Sequence, residues 1–144
     1  MRLLIFGLLM LLTTNSFAQT NGQFVNEHKA NCKVWLDEAT ATDSLIWNGN
    51  CTNGFASGQG FLQWYQNNKL VATYKGEVKQ GKFEGKGKFE IIDYASFEGT
   101  FINGALNGKG EAYFKNGGKT IGNFVNGDFL NLDDTYLHQL KNKR

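Results

Sequence analysis

Apolar and polar positions alternate with a period of two over most of this chain, the pattern of strands with one buried face. Apolar residues recur at every second position at Cys32, Val34 and Leu36 and predict a first strand. Further on, Tyr74, Gly76 and Val78 fall on one face of a strand, while Lys75, Glu77 and Lys79 fall on the other. A turn near Gly81 brings back Gly85, Gly87, Phe89 and Ile91 on one face, opposite Lys86, Lys88 and Glu90. Each such unit predicts one antiparallel hairpin, and successive hairpins pair edge to edge as a meander. The expected fold is all-β, a single-layer antiparallel sheet.

The alternation is absent at the start. Leu3 through Leu12 is an unbroken apolar run after Arg2, and Ser16-Phe17-Ala18 carries the small-x-small pattern of a signal-peptidase site. The run is well short of the roughly 20 residues that cross a bilayer as a helix. Residues 1–18 are therefore expected to be a cleaved leader, and the mature chain to be exported to the periplasm or outside the cell. Residues 19–31 are polar and aperiodic and predict a flexible lead-in, and Asp37 to Ser44 predict a loop. The sheet domain is expected over 32–130.

Glycines punctuate the strands at fixed intervals. Tyr74-Lys75-Gly76-x4-Gly81-x3-Gly85-x-Gly87 and Phe97-Glu98-Gly99-x4-Gly104-x3-Gly108-x-Gly110 are the fullest copies of one unit. Trp47-x-Gly49-x4-Gly54-x3-Gly58-x-Gly60 has the same spacing, and Ile121-Gly122-x4-Gly127 keeps only its opening half. Glycine inside a strand normally weakens it, so its repetition needs a cause. Trp47, Tyr74 and Phe97 recur two residues before the first glycine, and Cys51, Val78 and Phe101 two residues after it. Rings and bare backbone thus share one face, where a ring can lie on a glycine floor. The longer step between the first two copies falls in Phe61 to Tyr74, where Gln66-Asn-Asn-Lys69 predicts a turn and a longer hairpin. Over 131–144, Leu132, Tyr136, Leu137 and Leu140 follow helical spacing, with Asp133 and Asp134 early and Lys141, Lys143 and Arg144 late. This predicts a short capping helix over the open end of the sheet, or a tail.

Charge and cysteine content narrow the partners. Removing the leader leaves 14 basic and 13 acidic side chains, too even a balance to draw nucleic acid or an anionic membrane to the molecule as a whole. The two cysteines, Cys32 and Cys51, are expected to pair as a disulfide in an exported chain.

The spaced glycines with their preceding aromatic, Tyr74-Lys75-Gly76 to Gly87 and Phe97-Glu98-Gly99 to Gly110, resemble MORN repeats, the membrane occupation and recognition nexus family. The resemblance runs from about Trp47 to Phe129. It implies an elongated twisted β-sheet and roles in scaffolding, dimerisation or membrane and phosphoinositide association. Members that accompany a kinase or methyltransferase domain differ from this chain, which carries no second domain, and export argues against cytosolic phosphoinositides. The Cys32-Lys-Val-Trp opening with Cys51 is similar to exported bacterial members, in which the bridge would staple the first strand to the first repeat.

Reactive chemistry is thin. His28 falls in the lead-in and His138 in the tail, metal-ligand spacing is absent, and no cofactor is expected. Gly85-Lys86-Gly87-Lys88 lacks phosphate-loop spacing and lies within a repeated strand. Asn50-Cys51-Thr52 matches a glycosylation pattern only by chance. The leading expectation is a non-enzymatic binding or scaffold module with a protein partner, engaged through a sheet edge or an aromatic patch. Trp47, Gly49, Tyr74, Gly76, Phe97, Gly99 and Gly122 define its repeats. The alternative is anionic-headgroup binding by Lys75, Lys79, Lys86 and Lys88 on the polar face, against a plain reading of cross-strand Lys–Glu pairs.

Overall fold

Ten strands make one sheet in the computed structural model, which describes residues 22–129 apart from positions 30 and 38. They are β1 (Gln23–Asn26), β2 (Lys33–Leu36), β3 (Asp43–Thr52), β4 (Phe55–Gln66) and β5 (Lys69–Lys79), followed by β6 (Lys82–Ile91), β7 (Ala95–Ile102), β8 (Ala105–Phe114), β9 (Lys119–Val125) and β10 (Asp128–Phe129). From β3 to β10 every strand pairs antiparallel with the next, giving the open meander that the period of two predicts. The expected leader, and the helix or tail over 131–144, lie outside the described residues.

The four glycines of each copy divide into three roles. The second closes a two-residue turn in which both residues are left-handed, as at Gln80 (φ 49°) and Gly81 (φ 76°), the geometry that matches strand twist in a hairpin. The third sits in a bulge: Gly76 pairs with Gly87 but Glu77 pairs with Glu84, so Gly85 (φ 64°) and Lys86 are extra. The first and fourth align in a continuous row, Gly60, Gly76, Gly87, Gly99, Gly110 and Gly122, across β4 to β9. This row is the floor for the rings. A Cβ on Gly87 would lie 2.5 Å from the Tyr74 hydroxyl oxygen and 2.7 Å from its ring.

The hairpin tips are tied to one another through backbone. Gly81 N–H donates to Ala56 C=O at 3.0 Å, Gly104 to Phe83 at 2.9 Å and Gly127 to Leu106 at 2.9 Å. Each donor closes a tip and each acceptor lies two residues past the preceding tip.

Residues 19–31, expected as a flexible lead-in, instead contribute β1 over their described part, paired antiparallel with β2. This hairpin crosses the tips. Lys33 N–H donates to Gly54 C=O at 2.9 Å and Trp35 N–H to Gly81 C=O at 2.7 Å, so β2 bridges two neighbouring hairpins. Val34 and Leu36 are buried against the apolar face of the sheet, while Trp35 turns the other way, with Phe24 edge-on at 5.1 Å. The polarity of 19–31 concealed β1 because that strand is mostly exposed. Glu27 is buried and accepts hydrogen bonds from the backbone N–H groups of Lys29 (2.8 Å) and Cys32 (3.5 Å).

Cys32 and Cys51 form a disulfide with Cα atoms 5.8 Å apart, joining the crossing hairpin to β3. Cys32 is fully buried; Cys51 is exposed, unlike Val78 and Phe101 at the matching positions of later copies.

Candidate binding surfaces

The two faces of the sheet differ in chemistry because the pleat sorts alternate residues. On the apolar face the core holds Leu45, Trp47, Leu62, Tyr74, Val78, Phe83, Phe101, Leu106 and Phe124, together with Val34 and Leu36 from β2. The rings that precede the glycines are held by a polar atom. Trp47 Nε1 donates to Asn50 C=O at 2.9 Å and the Tyr74 hydroxyl to Glu77 C=O at 2.9 Å. Tyr74 is stacked on Phe83 at 3.8 Å and meets Phe101 edge-on at 5.2 Å. Burial raises its pKa well above the usual phenol value, and the Glu77 and Glu84 carboxylates push it the same way.

The third copy lacks that device. Phe97 has no polar atom and is only half-buried, and Leu106 takes the place nearest Gly99. The result is a groove of about 460 Å³ on the apolar face, lined by Trp64, Phe83, Phe89, Phe97, Phe101 and Leu106 among others. Leu36 and Asp37 at the end of β2 contribute to one wall, and Asn126 and Gly127 in the β9–β10 turn to another. Trp64 Nε1 is buried without a hydrogen bond of normal geometry. It nevertheless lies close enough to Asp43 to favour its carboxylate. Partial burial opposes ionisation of Asp43, but the Thr40 N–H (2.7 Å), with Trp64, the Thr40 hydroxyl and Gln66, outweighs it and lowers the pKa.

The opposite face is polar. All four predicted lysines, Lys75, Lys79, Lys86 and Lys88, are exposed. Lys75, Lys86 and Lys88 line one shallow trough of about 770 Å³ with Glu98, Thr100 and Glu111. Lys79 is not brought to them; it lines a separate recess near the hairpin tips with Lys82, Glu77 and Glu84. Lys109 joins the trough and was missed, although Gly108-Lys109-Gly110 repeats Gly85-Lys86-Gly87. The expected Lys–Glu pairing is scarce. Lys75 faces Lys88, Glu77 faces Glu84 and Glu98 faces Glu111; only Lys88 and Glu98 oppose with unlike charge. Like charges directly opposite destabilise a sheet. The ion pairs found among the described residues lie at the far strand ends or the sheet edge, Lys115–Asp93 at 2.6 Å and Lys119–Glu111 at 3.0 Å. Lys115 holds Asp93 below the usual carboxylate range, and Tyr113 with Lys119 does so for Glu111.

His28 is exposed and takes part through its backbone, donating to Leu45 C=O at 3.0 Å. His138 lies outside the described residues. Among the described residues no group of three or more His, Cys, Asp or Glu side chains gathers to hold a metal ion, and no helix is long and apolar enough to cross a membrane.

The MORN repeat family model matches three stretches of the chain, residues 49–69, 74–95 and 97–119. These are the first three copies of the glycine unit, and the truncated fourth lies beyond them. No curated protein matches the chain at a significant level.

Proposed function

We propose that the chain is a non-enzymatic, exported binding or scaffold module that engages a protein partner through its apolar groove. The observation that carries this reading is the sheet's asymmetry: half-buried rings of Trp64, Phe89 and Phe97 line an open groove on one face, while the other face is polar. Contiguous apolar surface of this kind marks interaction sites. MORN repeats are commonly protein- or membrane-binding modules, and three such repeats match this chain. The Cys32–Cys51 bridge accords with an oxidising compartment and hence with export.

A second reading has its own support. Lys75, Lys86, Lys88 and Lys109 line one trough without an ion pair to any described residue, an arrangement suited to an anionic headgroup. One experiment separates the two. The full chain, Phe89→Ser/Phe97→Ser and Lys75→Glu/Lys88→Glu are used to capture proteins from the producing cell's envelope and medium, and are floated with anionic liposomes at low and high salt. The expected result is a stoichiometric protein lost only with the groove variant. Flotation at low salt that is abolished by the lysine variant, with no protein captured, would replace the first reading by the second.

A further inference from the structure

We infer that residues 130–144 of the same chain lie over the apolar groove and cover it. The described chain ends at Phe129 in β10, directly after the Asn126–Gly127 turn that forms part of the groove wall. Residues 130–144 therefore begin within a few residues of the surface they would cover. Their length suffices. The five strands β5 to β9 span about 19 Å at the usual strand spacing. A segment of this length covers about 22 Å if helical and more if extended.

The chemistry matches as well. Leu132, Tyr136, Leu137 and Leu140 would present one apolar stripe at helical spacing. Among the described residues Asp37 is the single charged one lining the groove, and the segment has two acidic side chains, Asp133 and Asp134, against three basic ones, Lys141, Lys143 and Arg144. At the other end the fold already uses this solution, since β2 crosses the tips and lays Val34 and Leu36 on the same apolar face. A short tether holds a segment at an effective concentration in the millimolar range, which favours the chain's own residues over a second copy. An external partner would then have to displace this segment, a consequence that rests on the protein-binding reading; the covering itself does not.

The test uses the full chain with a benzophenone amino acid in place of Phe97, and with the same group in place of Ile121 on the polar face as a control. After irradiation, mass spectrometry of mixed isotope-labelled and unlabelled protein identifies the captured peptide. Capture of 130–144 within one chain from position 97 but not from 121, and its loss with Leu132→Asp/Leu137→Asp/Leu140→Asp, is the expected result. No capture of 130–144 from position 97 would overturn the inference, as would capture only between labelled and unlabelled chains or a crosslink that survives the triple substitution. A crosslink within the chain alongside failed partner capture supports the covering and removes the external-docking reading, so the two fail separately.

Discussion

The rings ahead of the glycines are sealed in copies one and two, whereas that of copy three is half-buried and lines the groove, although all three copies obey one spacing rule. In the first pair, each ring ahead of the glycine is pinned by a hydrogen bond, from Trp47 to Asn50 and from Tyr74 to Glu77, and β2 closes the tips above. In the third copy Phe97 has nothing to donate, and the backbone hydrogen bonds of β2 stop at the Gly81 tip, one tip short of it. One polar atom on a ring, and a strand from outside the repeat, separate core from groove. The array supplies the frame, and departures from it make the surface.

The bridge gives the largest contrast. Cys51→Ser should lower stability by about 3 kcal/mol on the chain-entropy estimate for a loop of this size, seen as a fall in the urea midpoint. Hydrogen exchange should quicken in β1 to β4 and stay unchanged in β7 to β9. Uniform loss of protection across both halves would show that sealing is not local.

The glycine floor comes next. Gly87→Ala drives a Cβ into the fully buried Tyr74 ring and should cost about 1–3 kcal/mol through overpacking. Gly110→Ala meets the Phe124 ring and the Glu98 carbonyl at 3.1 Å; a shift of a few tenths of an ångström relieves it, so its cost belongs at or below the low end of that range. Equal thermal-melt losses for the two would contradict the comparison.

Tyr74→Phe gives the smallest effect. It keeps the ring but removes the hydroxyl donor to Glu77 C=O, for about 1 kcal/mol near neutral pH. Because the folded-state pKa of Tyr74 is raised, its neutral form is favoured by folding. The stability it confers is complete below the ordinary phenol value of about 10 and is lost as pH rises beyond it. Wild-type protein should therefore lose stability in that alkaline window, and the Phe variant should lose less, as denaturant midpoints across the range will show.

The frame was legible because glycine spacing and period-two alternation are local signals. Trp47, Tyr74, Val78 and Phe101 occupy the ring face that this pattern assigns. The left-handed turns were also written locally, as Asn-Gly at 53–54, 103–104 and 126–127. What lay hidden was non-local. Nothing in Lys33 to Leu36 announces that two of its N–H groups bond to tips 27 residues apart, at Gly54 and Gly81. Lys79 looked equivalent to Lys75 by parity, but it sits at the tip end of its strand, beyond the Gly85–Lys86 bulge, and lines a different recess.

The tip-to-tip hydrogen bonds make the array a ruler with fixed graduations. Since each mark is set by a main-chain hydrogen bond, a 23-residue unit duplicated or excised between Gly76 and Gly99 should leave every other such mark in place. Length would then change in steps of two strands, about 9.5 Å each, so descendants of such a gene could lengthen or shorten their reach without redesigning a single contact.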